Sequence, residues 1–288
     1  MHSIKAAAAE VITDKMTFHS DYCNKHTYTR GSEDVVKPVR MMVMNGKVLC
    51  PRCELEEESK KLQKDLESQI EYSQRQKKFN TLEKRSMFRD RTVSRATFDN
   101  YDVSELEETK NKNRMMNLVK HLQQGEVFNI FLQGHPGVGK SHLAYAALRE
   151  LNVPPDPDNP KDNGRSCLFI NMEDTATAIK DSFSNKESKY TEAYVTQLMG
   201  DADYLVIDDI GAETGSEHSD SKASDFIHRL IYKVTSARQD KVTIYTTNLT
   251  SEKLYQMYDS KLVSRITQKQ QYIIFNDTSD KRKEVLPF

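Results

Sequence analysis

The sequence has no long apolar run and almost no net charge. No apolar stretch approaches the roughly 18 residues that a membrane-spanning helix requires, which excludes such a helix. Lys5 and Glu10 interrupt the N-terminal segment, so we expect no secretory signal there. Because the formal net charge is −1, any contact with nucleic acid must come from a local basic patch and not from the charge of the whole chain.

Cysteine is also scarce, and this excludes a disulfide scaffold. The chain has 4 cysteines in 288 residues, and three of them fall between Cys23 and Cys53. Such clustering is typical of a metal site in a reducing compartment, so we expect a cytoplasmic protein. The length favours one or two domains, and the 30% of charged residues favours a packed domain with a charged helix or linker.

The three clustered cysteines and a histidine form two close pairs. Cys23 and His26 are separated by two residues, as are Cys50 and Cys53, and a predicted hairpin around Asn45-Gly46 lies between the pairs. Four nitrogen and sulfur ligands make a closed tetrahedral Zn²⁺ site, which leaves no open position for catalysis. His19 is an alternative to His26, and free cysteines in a reduced protein are the alternative to a metal site.

The segment 54–91 contains no glycine and no proline, and its apolar residues recur at helical spacing. Acidic residues open the segment and basic residues close it, an order that suits the helix dipole. We interpret it as a solvated linker helix, and a basic surface for nucleic acid is the alternative. The apolar residues are Leu55, Leu62, Leu66 and Ile70.

After residue 98 the pattern changes to short apolar stretches that alternate with helical patterns. Buried strands that alternate with helices predict an α/β domain with a parallel sheet. The predicted strands are 127–132, 167–170, 204–207, 242–245 and 272–275.

The segment 134–141 has the sequence GHPGVGKS, which fits the phosphate-binding pattern G-x-x-x-x-G-K-S. A predicted strand precedes it and a predicted helix follows, as this motif requires. Glycines allow backbone N–H groups to surround a phosphate, Lys140 should reach the β- and γ-phosphates, and the Ser141 hydroxyl should hold Mg²⁺. The predicted nucleotide contacts from this motif are Gly134, Pro136, Gly137, Val138, Gly139, Lys140, Ser141 and His142.

Two further strands end in polar residues. Asp208 and Asp209 follow a buried strand, where we expect Asp208 to hold Mg²⁺ and Asp209 to orient and deprotonate the attacking water. An exposed turn with two acidic residues is the alternative. Asn248, at the end of the next strand, is the candidate for contact with the γ-phosphate. Arg265 lies within an apolar helical stretch. Its guanidinium suits the stabilisation of charge on a transferring phosphoryl group, and a surface ion pair is the alternative role.

The motifs GHPGVGKSHLA, YLVIDDIGAE, IYTTNL, LVSRI and IIFND resemble, in this order, the DnaC/DnaI family of AAA+ ATPases, bacterial or phage loaders of the replicative helicase. The resemblance covers about residue 98 to the C-terminus. It implies a RecA-like sheet with helices on both faces and a site for ATP or ADP. It also implies that Asn248 is sensor 1 and that Arg265 is an arginine finger acting in trans. Arg282 is the expected sensor 2, with Lys281 as the alternative.

From these features we divide the chain into a zinc-ribbon-like domain at 1–56, a linker helix at 57–97 and an ATPase domain at 98–288. The resemblance implies that the first domain contacts a hexameric helicase and that the protein loads this helicase onto single-stranded DNA. We expect slow, Mg²⁺-dependent ATP hydrolysis that partner or DNA stimulates, homo-oligomers, and no membrane. Alternatives are an IstB-like transposition ATPase, a non-hydrolysing adaptor and, least favoured, an origin-binding initiator.

Single-stranded DNA is expected to bind weakly, and more tightly with ATP. We expect its contacts in the polar segment Gly211–Lys222 and on the helix at 225–238, with Phe226 able to stack on a base. Lys222 and Arg229 are the candidate basic contacts. An ordinary surface loop is the alternative.

Overall fold

The computed structural model describes residues 17–30, 33–44, 46–157, 159, 162–211 and 225–282. The chain divides into two compact units, Met1–Glu71 and Tyr72–Phe288. This division lies within the segment predicted as a linker helix. In the part of the chain that the structure describes, no helix is long and apolar enough to cross a membrane.

The N-terminal unit contains five short strands and the start of a long helix. β1 pairs with β4 and β4 with β5, all antiparallel, while β2 and β3 form a separate antiparallel pair. Met44 pairs with Lys47 across the predicted hairpin turn, where Gly46 has a φ of 74° that favours glycine. The strands are β1 (Thr17–Cys23), β2 (Thr27–Arg30), β3 (Glu33–Val36), β4 (Val39–Met44) and β5 (Lys47–Leu49).

The helix α1 (Pro51–Phe79) begins with proline, whose fixed φ suits the first helical turn. It starts three residues before the predicted segment and therefore includes Cys53. The predicted apolar stripe stays exposed: Leu55 retains 66% and Leu62 retains 61% of its accessible surface. The spacing thus predicts a helix correctly up to Phe79, but the helix ends there and does not continue to residue 91 as predicted. The stripe itself stays largely exposed.

The second unit is an α/β domain. Its five strands form one parallel sheet in the order β10-β6-β9-β8-β7, which confirms the predicted fold class. The strands are β6 (Asn129–Gly134), β7 (Cys167–Asn171), β8 (Tyr204–Asp208), β9 (Val242–Thr247) and β10 (Gln270–Phe275). The helices are α2 (Thr81–Arg85), α3 (Leu106–Gln123), α4 (Lys140–Leu151), α5 (Met172–Ser184), α6 (Glu192–Asp201), α7 (Asp225–Ala237), α8 (Ser251–Met257) and α9 (Ser260–Ile266).

Alternate residues of each strand point to opposite sides of this sheet, and helices cover both of these sides. Ile130 and Leu132 of β6 belong to the apolar layer that includes α3 and α4. Phe131 belongs to the other layer, which includes α5, α6, α7, α8 and α9. A sheet buried on both faces explains the nearly continuous apolar runs from which the strands were predicted.

Residues 80–98, which close the predicted linker, pack onto this unit. Met87 forms a parallel bridge with Ile170 beside β7, and its N–H donates to the carbonyl of Phe169. Leu82 and Phe98 are buried in the core. The end of the predicted linker therefore extends the edge of the parallel sheet, a role that apolar periodicity did not indicate.

Candidate functional site

The glycine-rich loop joins β6 to α4 at the carboxyl end of the sheet. Gly137 and Gly139 have φ values of 82° and 92°, a region that side chains rarely adopt. At Gly134 a Cβ atom would lie 2.6 Å from Cβ of Phe275 on the neighbouring β10, so only glycine fits. These glycines let the loop turn its backbone toward the start of α4, where helix N–H groups are available to an anion.

Lys140 is buried at the first turn of α4 and connects the three predicted motifs. Its Nζ donates to the carbonyls of Gly134 and His135, each at 2.8 Å, and to Oδ1 of Asn248 at 2.7 Å. The Asn248 amide in turn donates to Oδ1 of Asp209 at 3.1 Å. The predicted phosphate-binding lysine, γ-phosphate contact and base thus lie in one hydrogen-bonded chain.

Asp208 and Asp209 have different surroundings at the end of β8. Asp208 is buried and accepts a hydrogen bond from Oγ1 of Thr246 at 2.7 Å. Burial raises the pKa of Asp208, and the hydrogen bonds from Thr246 and Ser141 oppose this shift. Asp209 has a φ of 60°, which turns it out of the strand toward the cavity. A buried carboxylate beside a serine hydroxyl is a donor set that suits Mg²⁺.

Two residues at this site escaped the sequence analysis. Thr246 is fully buried on β9, and its hydroxyl both donates to Asp208 and accepts from the N–H of Asp209 at 2.9 Å. Asn171, at the end of β7, lies 3.4 Å from Asp208 through its amide nitrogen. Polar residues at the carboxyl ends of neighbouring parallel strands were the signal that could have identified both.

An open cavity of about 260 Å³ lies against these groups. The Ser141 and His142 side chains are half-buried, and Nε2 of His142 lies 3.0 Å from the carbonyl of Thr97. Burial lowers the pKa of His142, and the hydrogen bond with the Thr97 carbonyl opposes this shift. The lining residues include Pro136, Gly137, Gly139, Lys140, Ser141, His142, Asp209, Asn248 and Arg282.

Lys281 and Arg282, the two candidates for sensor 2, take different positions. Lys281 Nζ lies 3.1 Å from Oε1 of the buried Glu108 and also contacts the carbonyl of Asp102. Arg282 lines the cavity. The segment that carries them is fixed by Glu107, whose carboxylate accepts hydrogen bonds from the backbone N–H groups of 276–278.

Arg265 lies on α9 outside this cavity. Its guanidinium stacks 4.4 Å from the ring centroid of Tyr232 and donates to the carbonyl of Lys261 at 3.3 Å. It makes no ion pair with a described residue, so the alternative of a surface ion pair finds no support there. The structure therefore does not bring Arg265 to the nucleotide cavity of its own chain.

The N-terminal unit brings the four predicted zinc ligands together. The Sγ atoms of Cys23 and Cys53 are 3.8 Å apart, and Nε2 of His26 lies 3.2 Å from Sγ of Cys50 and 3.3 Å from Sγ of Cys53. All four ligand atoms lie within 4.8 Å of one another. Two sulfurs bound to one tetrahedral Zn²⁺ at about 2.3 Å are about 3.8 Å apart, so the cluster fits this ion.

The histidine of this cluster is oriented by a carboxylate. Nδ1 of His26 lies 3.2 Å from Oε1 of Glu56, which also accepts from Arg52 at 3.0 Å. Carboxylates commonly hold metal-ligating histidines in this way, and the sequence analysis missed Glu56. His19, the alternative ligand, lies outside the cluster and contacts Asp21 instead.

The predicted DNA contacts are only partly described. Residues 212–224, and with them Lys222, lie outside the described residues. On α7, Lys233 pairs with Glu192 at 2.7 Å. Beyond the end of α7, Arg238 is buried and donates to backbone carbonyls, including Met199 and Val242. Arg229 is exposed, so α7 offers fewer free cations than its sequence indicated.

Comparison with known proteins agrees with this fold and site. Residues 130–272 match the family described as "ATPase family associated with various cellular activities (AAA)". The Replicative helicase loader DnaC of Escherichia coli K12 is 26% identical over 193 residues, which cover 64% of this chain and 71% of that protein.

Two solved structures have the same fold. A crystal structure of the DnaC helicase loader aligns with a TM-score of 0.50 and 23% identity, over 64% of this chain and 99% of that one. A putative primosome component from Streptococcus pyogenes serotype M3 aligns with a TM-score of 0.50 and 16% identity, over 68% and 93% of the chains.

Proposed function

Because this chain carries an ATPase domain of the AAA family that is homologous to DnaC, we propose that it is an ATP-dependent loader of a replicative DNA helicase onto single-stranded DNA. The observation that carries the ATP-dependent part is the hydrogen-bonded chain from Lys140 through Asn248 to Asp209. The proposal that a replicative helicase is the partner rests on the homology to a helicase loader. An IstB-like transposition ATPase has no such support here.

The residues around the cavity have distinct roles in ATP binding and hydrolysis. Lys140 neutralises phosphate charge, and release from Asn248 would free its ammonium group for this role. Ser141 and Asp208 would hold Mg²⁺, and the bound ion would offset phosphate charge. Asp209 orients the attacking water and accepts its proton, and Asn248 keeps that carboxylate in place. All these groups are present, which argues against a non-hydrolysing adaptor.

Zn²⁺ in the N-terminal unit has a structural role. The four ligands leave no open coordination position, and His26 and Cys50 are among the few buried residues of this small unit. A unit with so little apolar core gains its stability from the metal.

The N-terminal unit is also the expected contact for the helicase. Several large apolar side chains are exposed on it, a feature typical of interaction surfaces. The unit therefore offers apolar anchor side chains to a partner. We expect the protein to work in the cytoplasm. These side chains are Phe18, Tyr22, Val36, Val48, Leu55 and Leu62.

A loading assay tests the proposed function. The chain, the replicative helicase of the same cell or phage, and ATP are mixed with circular single-stranded DNA, and helicase retained on the circle is measured after gel filtration. We expect retention that Lys140→Ala abolishes, because the phosphates lose their charge partner. Lys180→Ala, an exposed change on α5, serves as the control. Equal retention with Lys140→Ala, or without the chain, would refute the proposal.

Arg265 is proposed to act on the nucleotide of a neighbouring copy, because it lies outside its own cavity. We expect Arg265→Ala and Lys140→Ala each to lose turnover alone. A mixture should regain part of it, since a mixed interface can pair an intact cavity with an intact arginine. Arg114→Ala, a change of an exposed arginine on α3, should keep wild-type turnover. Absence of any recovery in the mixture would contradict action in trans.

A further inference from the structure

The segment 77–95 of the ATPase unit concentrates positive charge in a chain that is nearly neutral overall. It holds seven basic residues against Glu83 and Asp90. Of the seven, Arg89 pairs with Asp174 at 3.2 Å, and the other six pair with no acidic residue among those described. We call these seven residues the basic track: Lys77, Lys78, Lys84, Arg85, Arg89, Arg91 and Arg95.

Part of the basic track lines a cavity of about 300 Å³, the basic cavity. Lys77, Lys78 and Arg85 contribute three cations to it, against Asp201 as its one acidic lining residue. Tyr194 is half-buried at its wall. A cluster of exposed ammonium and guanidinium groups around one concavity is the arrangement that attracts the phosphates of a nucleic-acid backbone.

A second cavity of about 700 Å³, the aromatic cavity, shares the short helix α2 with the first. Phe79 and Phe88 are half-buried in its lining, whereas Tyr145 is buried behind them and packs edge-on against Phe88. Arg91 and Arg149 are exposed at its border, together with the acidic Glu83. Aromatic rings flanked by arginines can accept an unstacked base and its phosphate together, a combination typical of single-strand binding.

From these observations we propose that the basic track and its two cavities form a binding surface for single-stranded DNA. Phosphates contact the basic cavity, and an unstacked base enters the aromatic cavity. This inference rests on the proposed function, since it names a surface for the DNA that the loader acts on. The surface adjoins the nucleotide cavity, because Asp90, Thr92 and Val93 of the same segment line that cavity, whereas none of the seven basic residues does.

Fluorescence anisotropy with a labelled 30-nucleotide oligo(dT) tests the surface. Binding is measured with a non-hydrolysable ATP analogue, for the wild-type chain and for Lys78→Glu/Arg85→Glu. The matched control is Lys180→Glu/Lys186→Glu, which changes the net charge equally at exposed sites outside the track. We expect affinity to fall about tenfold or more in the track variant, with a salt slope shallower by about 0.7 for each lost phosphate contact. The control should stay within about twofold of wild type.

Two further arms identify the ligand. Duplex DNA of equal length should bind more weakly than oligo(dT), since its bases remain stacked. An oligonucleotide with photoreactive iodouracil should cross-link to a half-buried ring of the aromatic cavity, such as Phe79 or Phe88.

The outcomes separate this inference from the proposed function. If the wild-type chain binds no single-stranded DNA, the proposed function fails in its choice of substrate. If the wild type binds and the track variant binds equally well, the inference is overturned and the proposed function stands. Loss of helicase association with unchanged DNA affinity would assign the track to a protein contact and overturn the inference as well.

Discussion

Thr246 shows at the scale of a single residue how the two aspartates at the end of β8 are held. Its hydroxyl donates to the carboxylate of Asp208 and accepts from the backbone N–H of Asp209, so one side chain contacts both residues. Thr247, the next residue, is equally buried, but its hydroxyl donates to the carbonyl of Ile210 and contacts neither aspartate. This neighbouring pair therefore allows a proposed role at the site to be separated from a role in packing.

Thr246→Val is expected to lower ATP turnover about tenfold or more while ATP affinity changes little. The substitution keeps the shape but leaves the buried carboxylate of Asp208 with one donor fewer, a loss of about 1–3 kcal/mol at the site. Thr247→Val is the control, because it costs similar stability without touching the carboxylates. Steady-state turnover and ATP binding should be measured for both. Equal turnover in the two variants would mean that Thr246 has only a packing role.

The segment after β10 shows at the scale of an element how a distant helix shapes the site. Glu107 on α3 accepts hydrogen bonds from the N–H groups of 276–278 and from the Thr278 hydroxyl. These residues lead directly to Asp280, which lies over Gly137, and to Arg282 at the cavity. One carboxylate thus holds the segment that covers the phosphate-binding loop.

Glu107→Gln is expected to destabilise the ATPase unit by about 1–2 kcal/mol, because charged acceptors make stronger hydrogen bonds than neutral ones. ATP affinity should fall as well, since the segment with Arg282 loosens. Glu150→Gln, an exposed change on α4, is the control. Thermal unfolding and nucleotide binding measure the two effects. A Glu107→Gln protein with wild-type stability and affinity would show that the segment is held by other contacts.

The same carboxylate predicts a pH dependence. Burial acts to raise the pKa of Glu107, but the hydrogen bonds from Thr278, Asn276 and Asp277 outweigh it and lower the pKa from its ordinary value of 4.5. A lowered pKa in the folded state contributes stability that is complete above about pH 4.5 and is lost as the pH falls through the lowered value. The unfolding free energy of wild type and Glu107→Gln should therefore converge in acid. A constant difference between them would contradict this assignment.

At the same scale, the sequence predicted the ATPase sheet better than the residues that stabilise its site. Five apolar runs gave the five strands, because a sheet buried on both faces requires such runs. The glycine-rich loop and the two aspartates also lie together, since both follow strands of one parallel sheet. Thr246, Asn171 and Glu107 could not be predicted in the same way, because their partners lie on other elements and depend on strand order.

The whole molecule consists of two units with different sources of stability. The second unit has a two-layer apolar core, whereas few of the described residues of the N-terminal unit are buried, and four of them form a cluster that could hold a metal ion. The spacing of the apolar residues on α1 predicted an amphipathic helix. It did not reveal a packing partner for this stripe, which is exposed in the structure. The domain boundaries at 56 and 97 remain predictions.

Cys50→Ser is expected to release one Zn²⁺ per chain and to unfold the N-terminal unit, while the ATPase unit keeps its ATP affinity. A hydroxyl cannot replace the thiolate as a ligand, and the unit has little core to compensate. Cys167→Ser is the reciprocal control, because Cys167 is buried in β7 and its loss should destabilise the ATPase unit alone. Metal analysis with thermal unfolding distinguishes them. A wild-type protein without zinc, purified without chelators, would refute the metal assignment.

Native mass measurement of the chain with a replicative hexameric helicase tests the central claim most directly. The two proteins are mixed with and without ATP, and the masses of the complexes are determined. We expect a complex of one helicase hexamer with several copies of this chain. Its stability should change with ATP and with Lys140→Ala, because a ligand that binds one state of a complex shifts its equilibrium. Masses of the separate proteins alone, under both conditions, would contradict the assignment of this chain as a helicase loader.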